Sequence, residues 1–263
     1  MAGWITRLAV IGLICSGSGA LAMGCRHNDE SLFIRQVLVP SSDCSVTADP
    51  SSAARGFGGM DLMLTSEYYA DLLVGSQLVQ RGSSDNVRAE SSRVALYEAE
   101  VHVKTPDGTE LGAYTVPGNG FVDPGTSTTP GWGIFETILV DAATSVAVLG
   151  KLCESNIGCT GGVPTQRLTR IGRIVAEVTV FGRTLGGTEV ESGPFQFPIE
   201  TCFGCLVNFP PEASDPSLNP PRNCQALTAV TTTGSSCNLG QDLPVDCRKC
   251  HEKYGSTSSL CEP

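Results

Sequence analysis

Val94–Lys104, VALYEAEVHVK, decides how the rest of the chain is read. Tyr97, Ala99, Val101 and Val103 share one side of a two-residue period, and Glu98, Glu100, His102 and Lys104 share the other. A strand points successive side chains to opposite faces, so this is a strand with one face on a core and one in water. Pro106-Asp107-Gly108 follows. Proline presets φ and glycine accepts the left-handed position, so the chain should turn back into a second strand through Tyr114 and Val116.

The same pattern extends outward. Trp132 to Val140 and Arg173 to Thr184 read as further strands. Gly186-Gly187 then turns the chain into a partner strand, Thr188 to Glu200, with Phe195, Phe197 and Ile199 on one face. Ala142 to Leu152 is the best helix candidate, with Asp141 as N-cap. Met60 to Val79 reads as one or two strands, and a helix from Glu67 to Leu78 is the alternative. Several strands separated by turn signals, without α/β alternation, predict a mainly β protein. The expected architecture is an antiparallel Ig-like β-sandwich spanning residues 56–201.

Residues 202–263 change character. Seven cysteines fall there and apolar periodicity vanishes. A segment with so little core needs cross-links. A disulfide-rich, loop-rich C-terminal tail is therefore expected beside the sandwich. Residues 25–55 are polar and read as an N-terminal tether with one short strand, Leu32 to Val39, and with Cys44 available to staple its end to the body.

The chain has 263 residues and a formal charge of −10, so it lacks the basic footprint of a nucleic-acid binder. It opens with MAGWITRLAVIGLICSGSGALAMGC. Arg7 is a positive n-region, and Leu8 to Ile14 is an apolar run too short to span a membrane. Residues 1–24 read as an export signal. Ala20-Leu21-Ala22 fits ordinary signal peptidase. Leu21-Ala22-Met23-Gly24-Cys25 resembles the lipobox of bacterial lipoproteins, with Ala22 where leucine is commoner. That resemblance implies cleavage before Cys25, a diacylglycerol on its thiol and an acylated amino group. A single acyl chain anchors only marginally, so several are needed. Arg26 follows the cysteine, so the aspartate that retains enteric lipoproteins in the inner membrane is missing, which points to the outer membrane.

Cysteine parity agrees. Cys15 leaves with the signal and Cys25 carries lipid. Cys44, Cys153, Cys159, Cys202, Cys205, Cys224, Cys237, Cys247, Cys250 and Cys261 remain, an even set suited to an oxidising compartment. Cys153 and Cys159 bracket a short loop and are expected to pair; the other pairings stay open.

Further stretches resemble exported lipoproteins of high-GC bacteria of the myxobacterial kind: GNGFVDPG (118–125), FGRTLGGTEVESG (181–193), CFGCLV (202–207) and GQDLPVDCRKC (240–250). The excess of arginine over lysine fits such a genome. This resemblance implies location and architecture and no activity.

Three constellations bear on chemistry. Cys247-Arg248-Lys249-Cys250-His251 has the C-x-x-C-H spacing of covalent haem attachment, with His251 as axial ligand. Cys202-x-x-Cys205 with Cys247-x-x-Cys250 has the form of paired zinc knuckles. Export before folding favours disulfides over both. Glu98, Glu100 and His102 share a strand face, where a solvated outer surface is the simpler account. The hydrolase, zincin, Walker and Rossmann motifs are missing. The expectation is a non-enzymatic envelope protein without a cofactor, bound to the bilayer through Cys25 and to an unidentified envelope protein. A redox or haem protein, and an envelope hydrolase, are the rival readings.

Overall fold

The structure, a computed structural model, describes residues 31–83, 89–154, 158–213, 217, 224, 237–255 and 258–262. The signal segment and Cys25 lie outside the described residues.

The protein is mainly β. The strands are β1 (Leu32–Leu38), β2 (Ala54–Arg55), β3 (Gly58–Asp61), β4 (Tyr68–Ser76), β5 (Val94–Lys104), β6 (Glu110–Val122) and β7 (Gly131–Val140). Helix α1 (Ala142–Glu154) follows, then β8 (Cys159–Thr160), β9 (Val163–Pro164), β10 (Leu168–Thr184), β11 (Glu189–Glu191), β12 (Phe195–Phe203) and β13 (Val207–Asn208). The chain closes with β14 (Val245–Asp246) and α2 (Cys247–Tyr254).

Two sheets enclose the core. One has the order β2-β1-β4-β7, and the other runs β3-β12-β10-β5-β6 with β11 also on β10. Leu72, Val74, Phe135 and Leu139 from the first sheet join Val101, Val103, Val178, Val180, Phe197 and Ile199 from the second in one buried cluster. Burying alternate apolar residues of both sheets is the driving force for this arrangement. The pairings within the two sheets are antiparallel except β3 with β12, which is parallel.

The expected hairpin forms. Gly108 has φ 87° and its N–H donates to Thr105 O at 2.9 Å. The expected helix forms too, with Asp141 Oδ1 accepting from Thr144 N at 2.8 Å. Between Met60 and Val79 the structure has strands, and the helical alternative does not occur.

Four expectations are corrected. Tyr97 was expected on the core face with Ala99, but it points outward and is 41 % exposed. The register shifts between Leu96 and Glu98, so Val94 and Leu96 face inward before the shift and Ala99, Val101 and Val103 after it. One bulge residue inverts the alternation.

The strand starting at Leu32 belongs to the sandwich rather than to a tether. β1 lies between β2 and β4, with Leu32 and Val37 fully buried. Strand β12 runs on through Cys202 and Phe203, past the expected boundary at 201. The partner strand expected over 188–200 is two strands, β11 and β12, both on β10.

The disulfide-rich tail also contains the short helix α2. Asp246 caps that helix, accepting from Arg248 N at 2.9 Å. Polar side chains at N-caps satisfy N–H groups that the first turn leaves free.

Candidate functional site

All ten cysteines from Cys44 onward pair. The bonds are Cys44–Cys237, Cys153–Cys159, Cys202–Cys205, Cys224–Cys247 and Cys250–Cys261. The short Cys153–Cys159 loop is the pair expected from spacing. Cys44, expected to staple the end of the tether to the body, instead ties the β1–β2 connection to the tail.

This pairing bears on the two motif readings. Cys247 and Cys250 sit one turn apart on α2 but bond to different partners, so neither thiol is free for a haem thioether. The zinc reading needs Cys202 and Cys205 to converge with Cys247 and Cys250. Instead Cys202 and Cys205 bond to each other beside Asp61, and Cys247 bonds to Cys224 beside Asp246. A disulfide sulfur has no thiolate to offer a metal. His251 is 9 % exposed, with Nε2 3.4 Å from Glu262 Oε1.

The tail docks on the β3–β4 connection through buried polar groups that sequence reading did not single out. Asp61 is fully buried. Its carboxylate accepts from Met63 N at 3.0 Å, Gly204 N at 2.6 Å and Leu206 N at 2.9 Å. Burial raises its pKa above the usual carboxylate value, against the lowering effect of these three donors and of Lys253. From α2, Lys253 Nζ donates to Leu64 O at 2.9 Å and Tyr254 Oη to Met63 O at 2.6 Å.

Asp242 makes the second contact. It has φ 60°, a left-handed backbone that few non-glycine residues adopt. Its carboxylate accepts from Gly59 N at 2.8 Å and Tyr68 Oη at 3.0 Å, with Arg55 Nε at 3.3 Å. Burial pushes Asp242 up, and burial with the adjacent Asp242 charge pushes Tyr68 well above an ordinary phenol. Gln241 beside it bridges the backbone of Tyr69, donating to O at 3.1 Å and accepting from N at 3.3 Å. Gly58 has no Cβ because the Tyr68 ring lies against it.

A cleft of about 350 Å³ opens where these groups meet the end of β1. Its walls include Val39, Arg55, Tyr68, Asp71 and Asn238. A second cleft of about 280 Å³ is lined by Tyr69, Pro117, Asn119 and Glu136. Asp71 and Glu136 are direct cross-strand partners between the two clefts. Burial, then the Glu136 charge, raises the Asp71 pKa. Such a pair can share a proton, and Tyr68 and Arg55 in the first cleft are both held on Asp242.

Glu98, Glu100 and His102 lie on the outer face of the larger sheet. His102 bonds Glu110 at 3.0 Å and Glu100 at 3.2 Å, which raises its pKa, the Glu110 contact most. Lys104 Nζ donates to Glu177 at 3.0 Å in the same belt. This is a solvated ion-pair surface, as the simpler account held.

No protein-family model matches the chain, and no curated protein is similar to it at a significant level.

Proposed function

We propose that this protein is a non-enzymatic, lipid-anchored module of a bacterial cell envelope, held by acyl chains on Cys25. The observation that carries the reading is the complete pairing of the other ten cysteines after the signal. Five disulfides suit an oxidising, exported compartment. They use the ten cysteines from Cys44 onward among themselves, and the remaining cysteine after residue 24, Cys25, stands at the place where the lipobox pattern needs a free thiol. The two clefts around Tyr69 and Asp71 are the surface offered to another envelope component. Their acidic side chains favour a basic partner.

Metabolic labelling with an alkynyl fatty acid tests the anchor. The wild-type chain should take up label and Cys25→Ser should not. Equal labelling of the two, or none of the wild type, removes the lipoprotein reading.

A further inference from the structure

Resting on the lipid anchor just proposed, we infer that the end of the sandwich where β1 begins is a bilayer-docking face, seated in the interface of the membrane that holds Cys25.

The leash is short. Because β1 is a sandwich strand, only residues 26–31 separate Cys25 from Leu32. Seven residue steps span at most roughly 25 Å even when fully extended. The domain therefore cannot stand far from the bilayer, and the end nearest Leu32 must meet it first.

That end carries the right side chains. Phe33 and Trp132 pack edge to face across β4, ring centroids 5.6 Å apart, on the outer side of the smaller sheet. Both register against Gly75, where the Phe33 ring fills the space of a side chain. Arg35 lies over the Trp132 ring, 5.5 Å from its centroid. The adjoining rim, formed by the end of β6 and the turns after β4 and β10, exposes Phe121 (53 %), Val79 (51 %) and Leu185 (57 %). Arg93 covers the Phe121 ring at 4.7 Å. The apolar body and polar N–H of tryptophan suit the headgroup boundary, phenylalanine adds apolar surface, and arginine stems lie along apolar surface while the guanidinium reaches phosphate. Anionic lipid is not the attraction, since the chain is acidic overall. Here Arg93 is already paired with Asp123 at 2.9 Å. The contact is with the interface itself. Asp71 and Glu136 lie four residues along β4 and β7 from the Gly75–Trp132 row, so they stand roughly 13 Å farther from the docking end.

The sequence supplies its own reporter. Its two tryptophans are Trp4, in the signal, and Trp132. The mature chain then has one, on the proposed face. The full lipidated protein would be reconstituted into phosphatidylethanolamine–phosphatidylglycerol vesicles containing brominated phosphatidylcholine. Flotation reports the anchor, and Trp132 fluorescence reports the face. The expected result is quenching of Trp132 by the bromolipid, protection from acrylamide and a shift of emission to shorter wavelength. Phe121→Ser with Val79→Ser should lose much of that quenching while still floating, whereas Phe57→Ser, exposed outside this rim, should not. If the protein floats but acrylamide reaches Trp132 as readily as in soluble Cys25→Ser, the docking face is refuted and the anchor stands. If the wild type does not float, the lipid reading itself fails.

Discussion

Phe197 in the sandwich and Cys250 in the tail are shut away from water in one buried cluster, but the two regions hold their place in it differently. Phe197 is one member of a continuous apolar cluster drawn from two sheets. Cys250 is held by a bond to Cys261, and its helix is moored to the sandwich by Lys253 and Tyr254 on backbone carbonyls. In the sandwich, stability comes from apolar area and is spread over many residues. In the tail a smaller apolar share, from Val207, Val245 and the cystines, is joined by a few covalent and polar contacts. The sandwich should therefore degrade gradually on substitution, and the tail should detach when a single link goes.

The largest test of that contrast is the Cys44–Cys237 bond, which spans 193 residues in sequence. By loop-closure entropy such a bond contributes about 5 kcal/mol. In Cys44→Ser with Cys237→Ser, limited proteolysis should cut first in the tail while the apolar core keeps a cooperative unfolding transition. Simultaneous loss of both regions would show that they fold as one unit. Phe197→Ala should act the other way. Removing a buried phenylalanine costs about 3–5 kcal/mol, and denaturant unfolding should show the whole loss in the sandwich transition. Asp61→Asn comes next. It replaces one acceptor oxygen with a donor facing backbone N–H groups, and leaving such groups unpaired costs about 1–3 kcal/mol. Hydrogen exchange at Met63, Gly204 and Leu206 should rise ahead of exchange in β5 and β10.

The smallest effect lies on the outer face. The folded state raises the His102 pKa from its ordinary 6.5, through Glu110 first and Glu100 as well. Its stabilisation is thus fully present below pH 6.5 and is lost as pH rises through the folded value. The side chain is 33 % exposed, so solvent weakens the effect. Calorimetric melts of the wild type and His102→Gln should differ slightly in slope above pH 6.5 and nowhere in the tail.

Much of the sandwich was legible because its strands are long and their turns carry mechanism. Val101, Val103 and the Asp107-Gly108 turn, and the capped helix at Asp141, are local signals that local physics obeys. Tyr97 was misplaced because a bulge is a matter of partner register, and the alternation gives no warning of one. β1 was misassigned because seven residues flanked by polar chain look like a tether until β2 and β4 take up their hydrogen bonds. The docking residues Asp61 and Asp242 carried no motif. Only the approach of segments 143 to 183 residues apart makes each of them a mooring.

Strand alternation, turn residues and cysteine count by themselves determined that the chain belongs among disulfide-bonded β proteins, because composition and period are properties of neighbouring residues. Which cysteines pair, where the sandwich begins and what Cys247-x-x-Cys250 does were decided only by the tertiary structure. Two cysteines three residues apart can bond to each other, hold a metal or part company. Cys202 and Cys205 took the first course, and Cys247 and Cys250 took the last, because folding brought Cys224 and Cys261 within reach.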